Sequence, residues 1–231
     1  MEQPVSQDGP NRPAVLVFDV NETLSDMSPM AERFQEVGAP PHKAATWFAG
    51  LLRDGFALAA VNASQSFSLI AAEALRVSMD PQSLNRETEQ AVQHIMDGFS
   101  GLHVHLDVPE GIRWLSDLGI RLVTLSNGST SVAEGLLERA GLRDQFERLL
   151  SVEEAGVWKP AARAYAYALE QCAVVPMDAM LVAAHPWDID GANRAGLGTA
   201  WVNRGRGRYP AYFEAPDLQP ESLTHLAEQL R

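Results

Sequence analysis

Val15, Leu16, Val17 and Phe18 form an unbroken apolar run that stops at Asp19, just ahead of the turn sequence VNETLSD. A short β-branched and aromatic run without alternation predicts a strand buried on both faces of a parallel sheet. Asp19 then stands at the strand's carboxyl end, the edge where open α/β sheets bind ligands. A turn or helix-capping aspartate satisfies this stretch equally well.

From Pro29 to about Phe99 the period changes. In AATWFAGLLRDGFALAAV and SFSLIAAEALRVSM the apolar residues recur at helical spacing and no strand interrupts them, which predicts an all-helical insert. The period then returns to strand and helix in alternation. IRLVTLSNGS reads as a strand ending in a polar turn, TSVAEGLLERAGL as a helix closed by Gly141, and RLLSVEEAG as a short strand and loop. KPAARAYAYALEQC is a helix, AMLVAAHPWD a strand and turn, DIDGANRAGL a helix and TAWVN a strand. Such alternation predicts a doubly wound parallel sheet with right-handed crossovers. NRGRGRYP, near Asn203, reads as a solvated connection, and no internal repeat is visible.

Composition narrows the partners. The 231 residues are 46% hydrophobic, ordinary for a globular chain large enough for one large domain or a core with an inserted subdomain. Lys and Arg total 18 against 30 Asp and Glu, a formal charge of -12, which repels nucleic acid at long range but leaves a small anionic substrate open. The one cysteine, Cys172, excludes an internal disulfide and a cysteine-based metal cluster, and reads as a small core residue. Residues 1–13 carry no apolar signal segment and no stretch is long enough for a membrane helix, so the expectation is a cytoplasmic protein with a flexible polar tail.

Polar residues gather at the strand exits: Asp19 after the first, Ser126 and Asn127 after the second, Lys159 before a helix, and Asp188 shortly after another apolar run. Neighbouring strands would bring all five to one crevice. Singly, Ser126 or Asp188 could cap a helix and Lys159 could be a surface charge. Their joint placement at successive strand exits favours a site.

FDVNETL, LSNGS, KPAARAY and HPWDIDGA, in this order, resemble the motifs of the haloacid dehalogenase superfamily, most closely its 2-haloacid dehalogenase branch. The resemblance implies a Rossmann-like core of residues 14–26 and 105–231, with residues 27–104 inserted as a helical cap. It also separates two chemistries. Phosphatases of that superfamily carry a second aspartate two residues after the nucleophile, where this chain has Asn21, whose amide is no general acid. They hold magnesium with an aspartate where this chain has Ala184, whose methyl group is no ligand. The implied site therefore has no metal and no cofactor, and phosphatase activity is the lesser alternative.

In the implied mechanism Asp19 attacks C2 of a small 2-substituted carboxylic acid, displaces the substituent and leaves an ester that water hydrolyses to a 2-hydroxy acid. Lys159 keeps Asp19 ionised, and Thr23 hydrogen-bonds it. Ser126 and the N–H groups of Val20 and Asn21 hold the substrate carboxylate. Asn127 and Trp187 flank the leaving group, Asp188 positions or activates water, and Tyr165 matches a tyrosine near the site, with helix packing as its other reading. Two departures bear on substrate. Where the family's cap has an arginine after a tryptophan, this chain has Phe48 after Trp47; and His185 replaces an asparagine beside the hydrolytic water, where it could orient water or act as base. Arg53 or Arg204 could stand in as halide donor. Alternatively, Phe48 suits a cationic leaving group, as in the related azetidine-2-carboxylate hydrolases, which open the ring of L-azetidine-2-carboxylate by the same attack. A non-enzymatic relative is disfavoured by the retained Asp19, Ser126, Lys159 and Asp188. Oligomeric state stays open, with room for a homodimer.

Overall fold

The computed structural model describes residues 12–205 and 207–231; the expected polar tail falls, as far as residue 11, outside them. The first apolar run is β1 (Val15–Phe18), buried throughout. Four helices follow it: α1 (Met30–Glu36), α2 (Lys43–Ala60), α3 (Phe67–Ser78) and α4 (Thr88–Ser100). After α5 (Val108–Asp117) the chain alternates through β2 (Arg121–Ser126), α6 (Thr130–Arg139) and β3 (Arg148–Ser151). It continues through α7 (Val152–Ala155), α8 (Ala162–Cys172), β4 (Ala179–Ala183), α9 (Pro186–Arg194), β5 (Gly198–Trp201) and α10 (Leu223–Gln229). The expected loop after β3 is instead the single turn α7, begun where Ser151 Oγ accepts from the N–H of Glu153. A capping serine competes with continued strand at that position.

The five strands are parallel in the order β3-β2-β1-β4-β5. β1 is central, pairing Phe18 with Thr124 on one side and with Val182 on the other. The chain order reverses between β2 and β4 on either side of β1, so the residue after Phe18 opens into the crevice at the switch point. Alternate β1 residues feed two cores. Leu16 and Phe18 pack with α5, α6 and α10, whereas Val15 and Val17 belong to a cluster shared with α8, α9 and the apolar faces of α1 to α4. Each fully buried Val, Leu, Ile or Phe in these clusters contributes about 1.5–3 kcal/mol relative to exposure. Cys172 is buried among them.

The chain leaves the sheet for the helices and returns at adjacent points. Asp26 N–H donates to the His103 carbonyl at 2.8 Å and His105 N–H to the Leu24 carbonyl at 3.0 Å, an antiparallel pair of strap segments. α2 of the helical block packs against the connection that precedes α8. The ring of Trp158 lies so close to Gly55 that an added Cβ would sit 2.4 Å from it, and its indole N–H donates to the Gln65 carbonyl.

Within NRGRGRYP, Arg204 acts as a brace. Arg204 is mostly buried, donating to Asp107 Oδ1 at 2.6 Å and, through Nε and Nη2, to the Thr23 carbonyl. Asp107 is in turn fixed by the Leu223 N–H. A Gly/Arg-rich composition gives no sign of the carboxylate waiting across the fold.

Candidate active site

Asp19 follows β1 with only 4% of its surface exposed, and each of its oxygens is engaged. Oδ1 accepts from Lys159 Nζ at 3.0 Å; Oδ2 accepts from Thr23 Oγ1 at 2.6 Å and faces His185 Nδ1 at 3.2 Å. Thr23 Oγ1 also accepts from the Ala184 N–H at 2.9 Å, which ties the turn after β1 to the exit of β4. Lys159 lies in the bend before α8, completely buried, and its second carboxylate partner is Asp188 Oδ2 at 2.5 Å. Asp188 stands in the first turn of α9 and is also fully buried. Its Oδ1 accepts from the Tyr165 hydroxyl at 2.6 Å. α9 leaves no room for a side chain beside that hydroxyl, since a Cβ on Gly191 would come within 2.5 Å of it.

The electrostatics follow from this wedge of one ammonium between two carboxylates. Burial pushes the Asp19 carboxyl up, but Lys159, His185 and Thr23 together hold it well below the usual carboxylate range. Burial and the nearby charge of Asp19 raise Asp188 against the pull of Lys159. Burial opposes the charge on Lys159, and Asp188 and Asp19 more than restore it. Burial, with Asp188 adjacent, keeps the Tyr165 phenol protonated well above its ordinary range.

His185 precedes α9, its Nδ1 toward Asp19 and its Nε2 2.8 Å from Glu22 Oε2. Ionised carboxylates only accept, so a ring facing two of them carries both protons. Burial presses its pKa down, while the hydrogen bonds and charges of Asp19 and Glu22 lift it to about 9. The ring lies between Phe48, centroids 6.3 Å apart at 28°, and Trp187, 5.0 Å apart at 29°. Phe56 of α2 meets Trp187 edge-on.

The raised imidazolium has a measurable consequence. Its stabilisation is complete below the unfolded value near 6.5 and is lost as pH rises through about 9. That interval amounts to roughly 3 kcal/mol at most. Thermal unfolding should show wild type losing stability between pH 6.5 and 9, and His185→Asn losing markedly less over the same interval. Parallel curves for the two proteins would contradict the charged ring.

Several residues read from the sequence occupy different places than expected. Asn127 does not face the crevice for a leaving group: its Oδ1 accepts from the Lys159 N–H at 2.9 Å and its amide nitrogen donates to the Lys159 carbonyl at 3.4 Å. An amide side chain matches a peptide group in both directions, so it fixes the bend that carries the lysine. Trp47 is core, its indole N–H on the Ala71 carbonyl and its ring against Phe34 and Phe99. Tyr165 lies beneath the site, behind Asp188. Of the two arginines named as halide donors, Arg53 is largely exposed on Asp54 and Arg204 is spent on its brace. Phe48 does reach the site, but one face of its ring is stacked on His185.

Ser126, at the end of β2, accepts from the Gly128 N–H and lies beside the Asn21 amide, since a Cβ on Gly128 would be 3.2 Å from its Oγ and 3.6 Å from Asn21 Nδ2. The N–H groups of Val20 and Asn21 have no hydrogen-bond partner among the described residues. Glu22 went unread in the sequence. Its contact with His185 spans 163 residues, and the only local sign is a backbone φ of 61°, a left-handed value in which side chains other than glycine are uncommon.

Residues 13–196 match the haloacid dehalogenase-like hydrolase family. The chain belongs to that family. Among curated relatives of this hydrolase, an (S)-2-haloacid dehalogenase from Pseudomonas sp. (strain YL) is 29% identical over 220 residues, covering 92% of each chain. Haloacetate dehalogenase H-2 from Moraxella sp. (strain B) is 28% identical over 163 residues, 69% of this chain and 72% of that one. In fold, the hydrolase resembles the L-2-haloacid dehalogenase from Xanthobacter autotrophicus, with TM-score 0.86, 23% identity and coverage of 95% and 98%. A second structure of that enzyme, with chloropropionic acid covalently bound, gives a TM-score of 0.85. No helix among the described residues is long and apolar enough to cross a membrane.

Proposed function

We propose that this hydrolase displaces a leaving group at C2 of a small carboxylic acid, with Asp19 as the nucleophile and a 2-hydroxy acid as product. The observation that carries the reading is the Lys159 ammonium fixed between Asp19 and Asp188. It keeps Asp19 ionised in a nearly dry site, so the carboxylate is a nucleophile rather than an acid. Thr23 and His185 hold the other oxygen, which sets the carboxylate's direction. Ser126 and the N–H groups of Val20 and Asn21 bind the substrate carboxylate, and attack at C2 expels the substituent into the space beside Trp187. Asp188, enclosed by Lys159 and Tyr165, acts by holding the ammonium. Residues 27–104 serve as a cap, supported by Phe48 and Phe56 of α2, which reach the rings beside Asp19.

The dehalogenase names of the relatives support a halide as leaving group. A second reading, opening of the L-azetidine-2-carboxylate ring, draws on one observation: Arg53 and Arg204, the two arginines considered as halide donors, are both paired with carboxylates elsewhere. Against it stands the imidazolium stacked on Phe48, which repels a ring ammonium. Incubating the purified protein with (S)-2-chloropropionate and, separately, with L-azetidine-2-carboxylate, and measuring free chloride and primary amine, decides between them. Chloride release supports the first reading, amine release without chloride the second, and neither product overturns both. Activity should also survive EDTA and gain nothing from magnesium, because Ala184 stands where the superfamily's phosphatases hold magnesium with an aspartate, and its methyl group offers no oxygen ligand. Magnesium-dependent turnover would contradict this.

A further inference from the structure

The second half of the reaction needs a group that activates the water cleaving the Asp19 ester. Asp188 is the obvious carboxylate, yet it has no exposed surface, and both its oxygens are held, by Lys159 and by Tyr165. Lys159, the other titratable neighbour of Asp19, is completely buried and held as an ammonium by both carboxylates. His185 also touches Asp19, keeps 12% of its side chain exposed and lines a cavity with Glu22 and Ala184. It sits clamped between the rings of Phe48 and Trp187, and its far nitrogen is held by Glu22. Residue 22 itself adopts a left-handed backbone conformation, φ 61°, which is uncommon and strained for a glutamate.

We infer that His185 is the general base for hydrolysis of the Asp19 ester and that Glu22 is the positioning residue that orients and polarises it. The inference rests on the ester proposed above. In the free enzyme the ring donates to two carboxylates and cannot accept a proton. Once Asp19 is esterified its charge is gone, the ring faces Glu22 alone, and Nδ1 gives its proton to solvent. Water then adds to Cγ of Asp19 while its proton passes to Nδ1, and Nε2–H stays on Glu22. As the tetrahedral adduct collapses, the bond from Cγ to the substrate-bearing oxygen breaks, and Nδ1 returns the proton to that oxygen, releasing the 2-hydroxy acid. The regenerated Asp19 carboxyl passes its own proton to Nδ1, which restores the ion pair. One water is consumed and one proton released per turnover, as displacement of a halide requires.

The charged groups around the ring are Asp19 and Glu22 on the turn after β1, Lys159 before α8 and Asp188 on α9. His105, Asp26 and Arg204 line the same cavity on the side of Glu22, and His105 Nε2 lies 3.1 Å from the Glu22 carbonyl. Among the described residues only Glu22 holds Nε2, so its removal should lower the ring's affinity for a proton in the ester state and spoil its aim.

The test is single-turnover kinetics with (S)-2-chloropropionate and with L-azetidine-2-carboxylate, quenched at intervals from pH 5 to 10, with the mass of the Asp19 peptide as readout. Wild type, Glu22→Gln and Glu22→Gly are compared. Glycine suits the left-handed backbone, so that variant folds even if the glutamine variant does not. Both variants should form the ester within about threefold of the wild-type rate. They should cleave it about 10- to 100-fold more slowly at the high-pH plateau, so that the adduct accumulates. The midpoint of ester cleavage should move about one pH unit lower. Unchanged cleavage overturns the inference. Equal slowing of formation and cleavage with an unmoved midpoint also overturns it and reduces Glu22 to a structural part. Turnover by wild type with no adduct on Asp19 under any quench overturns the ester itself, a failure separable from the other two.

Discussion

Asp19→Asn is expected to lower turnover by about 10⁴-fold or more while leaving a cooperatively folded protein. The amide keeps the size of the carboxylate but removes the negative charge that makes its oxygen a nucleophile. Lys159 retains Asp188 at 2.5 Å, so the buried ammonium is not orphaned and the fold survives. His185, by contrast, keeps only Glu22 as a charged partner and binds its proton less tightly. Turnover measured beside urea unfolding checks both halves: activity near wild type, without deamidation of the introduced asparagine back to aspartate, removes Asp19 as nucleophile.

The second large effect is on stability. In Lys159→Met the carboxylates of Asp19 and Asp188 face one another in a dry site with no cation between them. Removing one partner from a buried ion network costs about 3–5 kcal/mol, and activity should vanish with it. One carboxyl must then take up a proton, its pKa raised in the folded state. A group of that kind destabilises when ionised, so the variant should regain stability as pH falls from 7 towards 5. Adding Asp188→Asn should recover part of the loss at pH 7 without restoring turnover. If Lys159→Met unfolds at the wild-type urea concentration across this pH range, the wedge contributes nothing to the fold.

The distance over which each residue acts explains what the sequence disclosed. The run Val15 to Phe18 and its stop at Asp19 are local, and a buried parallel strand leaves that mark wherever it occurs. The helical period of residues 29 to 99 is local too, as are the strand exits at Ser126 and Asp188. What stayed hidden are pairings between distant segments whose partners carry no period. Asn127 reads as a crevice amide until Lys159's backbone is beside it. Arg204 reads as a loop charge until Asp107 and the Thr23 carbonyl meet it. Trp47 reads as a site residue because of its neighbour Phe48, and only the placement of Ala71 shows its N–H to be satisfied in the helical core. His185 reads from the sequence as a departure beside the hydrolytic water, but its pairing with Glu22, 163 residues away, leaves no local mark.

The paired straps at residues 24–26 and 103–105 have an evolutionary corollary. Because the chain departs and re-enters at neighbouring points, everything between them hangs from a single doorway, and no strand register depends on its length. Descendants can trade one helical block for another, longer or shorter, while inheriting the nucleophile, the lysine wedge and the sheet unaltered. Selection for a new substrate can therefore proceed by exchange of a whole module as readily as by point changes at positions such as Phe48.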